Sequence, residues 1–546
     1  MARNLDADLA TLRQVLAYAE QRDFVRAAQL AEATLASGFE HPLLLNVMAT
    51  HYETRGRFED SLRLLERAVK IAPRDVGARN ALSLCLQRLE RPGDALAHVD
   101  ELLRQNPGLA FAHANRGNAL IALGALGQAR ASHLRALELE PGNLVATVAL
   151  ASIASHRGEH AAARYYAEQA LAKAPGFPDA VLSLAAAELA DGNLVRAESQ
   201  LHGLILDSRA SRLDKARASG VLGDVLDAMG RHAEAFASYA ECNASLRQHH
   251  ARYADGSSIL AYTLALTEAL DRLGARDLAA SSAPDPGVGG AGAPAGHAFL
   301  LGFPRSGTTL LEVALEGHPA IVSSEEHELL TDGVLRYMCE PLDLAPLARA
   351  SEEELAPLRA AYWAGIRRAG IDVAGKIFLD KHPMHTLKLP LIARLFPRAK
   401  ILFAVRDPRD VVLGCFRRRF LMNPAVYQFL TLSGAADFYA AVMQFAARAL
   451  PLVDMPWREV RYERLVADLA AETRAICAFL GLDWVEGLDR FAERAAPREH
   501  ATPSSAQLSR GLSRDVPAPW RRYSQALAPV LPVLRPWALR FGYAPE

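Results

Sequence analysis

In the first half of the chain, apolar residues recur at helical spacing in paired stretches separated by short turns. Pro73, Pro107, Pro141 and Pro175 stand 34 residues apart. Each closes a similar phrase, among them RFEDSLRLLERAVKIAP, ALGQARASHLRALELEP and EHAAARYYAEQALAKAP. Gly56, Gly124, Gly158 and Gly192 fall at the turn before each second helix. Ala129, Ala163 and Ala197 share one register, and Ala68, Ala136 and Ala170 share another seven residues on. The pattern changes after residues 281–296, SSAPDPGVGGAGAPAG, whose composition is that of a flexible linker. Beyond it, short continuous apolar runs (AFLL at 298–301, AIVSS, KIFLD, and AKILFAV at 399–405) alternate with helical stretches. Continuous runs suit strands buried on both faces, so this half is expected to be α/β with a mostly parallel sheet.

A 34-residue period of paired amphipathic helices, with small residues where helices approach, resembles the tetratricopeptide (TPR) repeat. Degenerate copies, RDFVRAAQLAEATLAS and MGRHAEAFASYAECNASLR, extend the array over residues 5–250, about six to seven repeats. Residues 259–278 are expected to form a long helix that caps it with a polar outer face. The predicted organisation is therefore α plus α/β: an all-α TPR superhelix with its cap over 1–278, a linker over 279–297, and a P-loop-type α/β domain over 298–546. The TPR resemblance implies a concave groove that takes a peptide or partner protein, or alternatively a scaffold or oligomerisation module.

Composition narrows the partners. Lys+Arg 61 against Asp+Glu 62 leaves a net charge of −1, which argues against nucleic acid and requires any anion site to be a local cluster of cations. The five cysteines are scattered without a C-x-x-C pair, which favours a reducing compartment and argues against zinc. The N-terminus lacks an apolar h-region and no apolar run reaches spanning length. The expectation is a cytoplasmic protein without membrane insertion.

The chemistry centres on residues 298–316. A buried strand leads into the loop GFPRSGTT, and residues 309–316 continue as a helix. Loop N–H groups, the helix N-terminus and the hydroxyls of Ser306, Thr308 and Thr309 make a phosphate cradle. Thr308 stands where a nucleotide P-loop has lysine, and the cation comes earlier as Arg305. PRSGTT after a strand resembles the 5′-phosphosulfate loop of the sulfotransferases. That resemblance implies 3′-phosphoadenosine-5′-phosphosulfate (PAPS) as cosubstrate, held by Arg305, Ser306, Gly307, Thr308 and Thr309.

Downstream motifs follow in order. His318-Pro319 precedes a second strand that ends in Glu325, Glu326 and Glu328, where a carboxylate can act as general base. This arrangement resembles the protein-tyrosine sulfotransferase and TPR-sulfotransferase branch and implies Glu326 as the base, with Glu325 and then Glu328 as alternatives. KIFLDKHP resembles the family's D-K-x-P element and implies a catalytic role for Lys381 beside Arg305. RDPRDVV follows the AKILFAV strand. There Arg406 matches the 3′-phosphate arginine, Gly414 stands where the family has a serine, and Arg418 matches a phosphate-contacting arginine. Tyr462 is implied as an adenosine neighbour. TPSSAQLSRGLSRDVPAPWRRY resembles the late cofactor loop, with Ser504 and Gln507 matching. Pro519 replaces the family's basic residue, so Arg521 or Arg522 is implied at the 3′-phosphate, with Arg510 and Arg514 open.

The resemblance implies transfer of a sulfonyl group to a hydroxyl, foremost a peptide tyrosine, without a metal. Two alternatives remain. A P-loop kinase or NTPase would need the lysine that the loop lacks. A TPR adaptor that has lost catalysis is kept open by Gly414 and Pro519.

Overall fold

The structure is a computed structural model that describes residues 5–21, 23–254, 258–274, 278, 292–324, 326–488 and 518–545. The first fourteen helices among the described residues, from Leu5–Glu20 to His232–His249, are the seven helix pairs of the TPR superhelix. The periodic residues have steric reasons. Gly56, Gly124, Gly158 and Gly192 turn the chain at φ between 71° and 80°, where a side chain is strained. Ala68, Ala129, Ala136, Ala163, Ala170 and Ala197 are fully buried where helices meet. Among the described residues, no helix is long and apolar enough to cross a membrane.

Two compact units divide the chain inside the repeat array. One is Met1–Ser155 with Glu159–Ser183, the other His156–Gly158 with Leu184–Glu546. The last repeat pair, Arg212–Ala228 and His232–His249, thus belongs to the same compact unit as the α/β domain. The helix expected over 259–278 is shorter among the described residues. It runs only over Ile259–Asp271, and Leu266, Ala269 and Leu270 join the core cluster that holds Phe299 and Phe403. Tyr262 also donates its hydroxyl to Met338 O at 3.0 Å. An apolar stripe covers whichever apolar surface lies beside it, and here that surface is the α/β core.

Among the described residues, five parallel strands form the sheet: β1 (Gly296–Leu301), β2 (Ile321–Ser323), β3 (Ile377–Lys381), β4 (Lys400–Val405) and β5 (Trp457–Arg461), in the order β2-β3-β1-β4-β5. The continuous apolar runs are buried on both faces. Phe299 and Leu301 enter one core cluster, while Ala298 and Leu300 enter the other. Chain order reverses at β1, between β3 and β4, which is the place where open parallel sheets bind ligands at their carboxyl ends. Leu300 pairs with Lys381 and Leu301 with Phe403, which brings the ends of these three strands level.

Candidate active site

The loop after β1 is fixed by close backbone approaches. A Cβ on Gly302 (φ +151°) would lie 2.6 Å from Ala404 O, and one on Gly307 (φ +97°) would meet Tyr462 Cδ2 at 2.5 Å. Gly307 is also the N-cap of the helix Thr308–Glu316. Between them Arg305 takes φ +72°, a left-handed conformation that costs a non-glycine residue about 1–2 kcal/mol. Thr386, fully buried, holds the loop from the β3 side. Gly302 N donates to its Oγ1 at 3.0 Å, and that oxygen lies 2.7 Å from Gly302 O. Ser306 Oγ is buried without a hydrogen-bond partner among the described residues, and Thr308 and Thr309 are buried beside it.

Guanidinium groups converge on this loop. Burial, then the charges of Arg418 and Arg406, push Arg305 down to about 9, still protonated at neutral pH. Arg406 lies 4.2 Å over the Tyr462 ring, with Nη2 3.8 Å from Asp410 Oδ2. Arg418 follows the helix Pro408–Arg417 and has Nη1 3.9 Å from Asp224 Oδ2. A Cβ on Gly414, in the same helix, would sit 3.4 Å from Arg305 Cβ and Cγ. The position expected to bear a phosphate-binding hydroxyl therefore packs under the Arg305 stem.

A second cluster forms at the ends of β2 and β3. Lys381, fully buried, donates from Nζ to Glu326 Oε1 at 2.6 Å and lies 3.2 Å from Glu312 Oε2. Glu312 is fully buried and also accepts a hydrogen bond from Ser323 Oγ. Glu326 takes φ +70° and is about a third exposed. Arg305 and Glu326 are thus two left-handed non-glycine residues at the sites where chemistry is expected. Lys381 N donates to Ser324 Oγ at 3.2 Å, which ties the two strand ends together.

Beside this pair runs a chain of ionisable groups. Tyr362 donates to Asp380 Oδ2 at 2.7 Å, and Asp380 Oδ1 lies 3.4 Å from His385 Nδ1. His385 Nε2 lies 3.5 Å from Glu328 Oε2, which accepts from Lys388 Nζ at 2.5 Å. Burial opposes the Glu328 charge, but His385 and Lys388 hold its carboxyl well below the usual range. Glu328, His382 and His385 place possible metal-ligand atoms within 4.8 Å of one another. The ammonium of Lys388 already occupies the Glu328 oxygen, so the group reads as an ion-pair chain.

The late segment meets the site through its tryptophan. Trp520 N donates to Asp410 Oδ1 at 2.8 Å, and Arg409 lies 4.1 Å over its ring. Arg521 lies 5.2 Å over the same ring and Arg522 is exposed. Glu325, Ser504, Gln507, Arg510 and Arg514 lie outside the described residues. Sequence reasoning missed Glu312, Thr386, Asp410 and the Asp224 contact. Glu312 had one signal, a carboxylate set inside the apolar run LLEVAL, because a buried charge calls for a partner.

Residues 298–486 match the sulfotransferase family, and residues 46–110 match the tetratricopeptide repeat. An uncharacterized protein of Aquifex aeolicus is 26% identical over 248 residues, 43% of this chain and 32% of that protein. Protein-tyrosine sulfotransferase A of Caenorhabditis elegans is 24% identical over 276 residues, covering 45% of this chain and 67% of the relative. Protein-tyrosine sulfotransferase 1 of Danio rerio is 27% identical over 207 residues, 34% of this chain and 53% of the relative. The matches thus span from about a third to two thirds of these relatives' own lengths. This chain joins a sulfotransferase-family segment, which contains the loop, Glu326, Lys381, Arg406 and Tyr462, to an array of tetratricopeptide repeats.

Proposed function

We propose that this protein transfers the sulfonyl group of PAPS to a hydroxyl acceptor, a tyrosine of a peptide or protein. The observation that carries the reading is the convergence of Arg305, Arg406 and Arg418 on a loop whose buried Ser306 hydroxyl has no hydrogen-bond partner among the described residues. Three cations beside an unsatisfied donor, in a chain with no overall positive charge, fit a multiply charged anion. The 5′-phosphosulfate fits the loop N–H groups, Ser306, Thr308 and Thr309. The 3′-phosphate fits Arg406 and Arg418, and the adenosine fits Tyr462.

PAPS, when bound, supplies an activated sulfonyl group whose S–O bond to the 5′-phosphate breaks as the acceptor oxygen attacks sulfur. Glu326 takes the acceptor's proton. Lys381 holds the Glu326 carboxylate in place and, with Arg305, steadies charge at the leaving oxygen. Glu328 suits the base role less, because Lys388 and His385 hold its carboxylate. The names of the Caenorhabditis elegans and Danio rerio relatives support tyrosine as acceptor, and the TPR array supports a peptide or protein partner.

The test is transfer of radiolabelled sulfonate from PAPS to tyrosine-containing peptides. Glu326→Gln is expected to abolish transfer while leaving the affinity for 3′-phosphoadenosine-5′-phosphate (PAP) unchanged. Persistent transfer in that variant would overturn the base assignment, and wild-type transfer to serine peptides alone would overturn the tyrosine assignment.

A further inference from the structure

The run Arg417-Arg418-Arg419 closes the helix that underlies the loop, and its counter-charges come from the repeat array. Asp224 and Asp227 stand three apart on Arg212–Ala228, so both carboxylates lie on one helix face. Arg417 Nη2 meets Asp227 Oδ2 at 2.5 Å, and Arg419 Nη2 meets Asp224 Oδ2 at 2.5 Å. The carboxylates are themselves held. Tyr239 donates to Asp224 at 2.9 Å, Tyr523 donates to Asp227, and His232 Nδ1 lies 3.2 Å from Asp227.

The backbone is engaged as well. Arg419 Nη1 donates to Gly220 O at 2.8 Å, and Asn243 Nδ2 donates to Phe416 O at 2.9 Å. A Cβ on Gly220 would come within 2.7 Å of Arg419 Cδ, so a glycine is what admits this arginine. Phe236 stacks on Phe416 at 5.3 Å. All these residues belong to one compact unit.

The three guanidiniums are not engaged alike. The outer two make short contacts to the two carboxylates, whereas Arg418 stands 3.9 Å from Asp224. Arg418 is also the foremost charge pressing on Arg305 in the loop. With its neighbours neutralised, it is the member of the run left to meet an anion.

We propose that the last tetratricopeptide helix pair is part of the cofactor site, with Asp224 and Asp227 acting as positioning residues that hold the arginine run so that Arg418 meets the 3′-phosphate. The inference rests on the PAPS reading. It makes the final repeat a component of nucleotide recognition as well as of any partner groove.

The experiment is calorimetric titration of the full chain with PAP and with adenosine 5′-phosphate, which lacks the 3′-phosphate. Wild type is expected to prefer PAP. Asp224→Asn is expected to weaken PAP by about tenfold with adenosine 5′-phosphate unchanged, and Asp224→Glu to recover part of the loss. Asp227→Asn, at a more exposed carboxylate, is expected to shift the same ratio less, and it carries the test if Asp224→Asn does not fold. An unaltered ratio in folded variants, or an equal loss for both nucleotides, would overturn the positioning role. A wild type without preference for PAP would instead overturn the PAPS reading beneath it.

Discussion

Lys381→Met is the perturbation whose size follows most directly from the geometry. The lysine Nζ sits between Glu312 Oε2 at 3.2 Å and Glu326 Oε1 at 2.6 Å. Lys381 and Glu312 are fully buried, while Glu326 is about a third exposed. Removing the ammonium leaves the Glu312 charge in a dry setting. Breaking a buried pair from one side costs about 3–5 kcal/mol. The Glu326 contact is partly solvated and adds at most about 1 kcal/mol. Removing both buried charges in Lys381→Met/Glu312→Gln is expected to return most of the loss, because no uncompensated charge remains. Urea unfolding followed by tryptophan fluorescence is a suitable assay, since all five tryptophans lie in the second compact unit. With a slope of about 3 kcal/mol/M, the single variant should unfold about 1–2 M earlier, and the double variant should lie close to wild type. Both should be inactive, which separates the lysine's part in folding from its part in transfer. A single variant as stable as wild type, or a double variant no better than the single, would refute the buried-pair argument.

Three further outcomes are expected. Gly307→Ala should abolish PAP binding and lower the melting temperature, because its Cβ would lie 2.5 Å from Tyr462 at φ +97°. Ser306→Ala should stabilise the unliganded protein by about 1–3 kcal/mol, by removing a buried unsatisfied hydroxyl, yet weaken PAP binding in calorimetry. His385 gives a pH signature. Burial alone would lower it, but Asp380 and Glu328 outweigh burial and raise it, against the opposing charge of Lys388. A raised base binds its proton more tightly when folded, so its stabilisation is full below the unfolded value of about 6.5 and is lost as pH rises through the folded value. Melting temperatures of wild type should therefore converge on those of His385→Asn across that window, and parallel curves would contradict the assignment.

Residues with a steric or local reason were legible in the sequence. The turn glycines must be left-handed, the repeat alanines must let helices touch, and both-face burial of the strands requires unbroken apolar runs. Loop, lysine and arginine positions were legible because each ends a strand of a parallel sheet, and the sheet brings those ends level. What was not legible is pairing at long range. Asp224 and Asp227 look like ordinary solvated residues of a repeat helix until the fold sets them against arginines about 190 positions later. The partner surface of the helix Ile259–Asp271 was illegible for a related reason, since an amphipathic stripe does not say which surface it covers.

On the PAPS proposal, the loop and its arginines bind a 3′-phosphorylated adenosine nucleotide. Calorimetric titration of wild type and Arg406→Ala with PAP, in the absence of metal, tests it most directly. Arg406 lies on Tyr462 beside the loop, and its ion pair among the described residues is a long 3.8 Å contact to Asp410, so its loss should leave the fold intact. Wild type is expected to bind tightly, and binding should fall by at least about tenfold in the variant, the loss of one charge-assisted phosphate contact. A folded wild type that gives no heat with PAP, or equal binding by the variant, would contradict it.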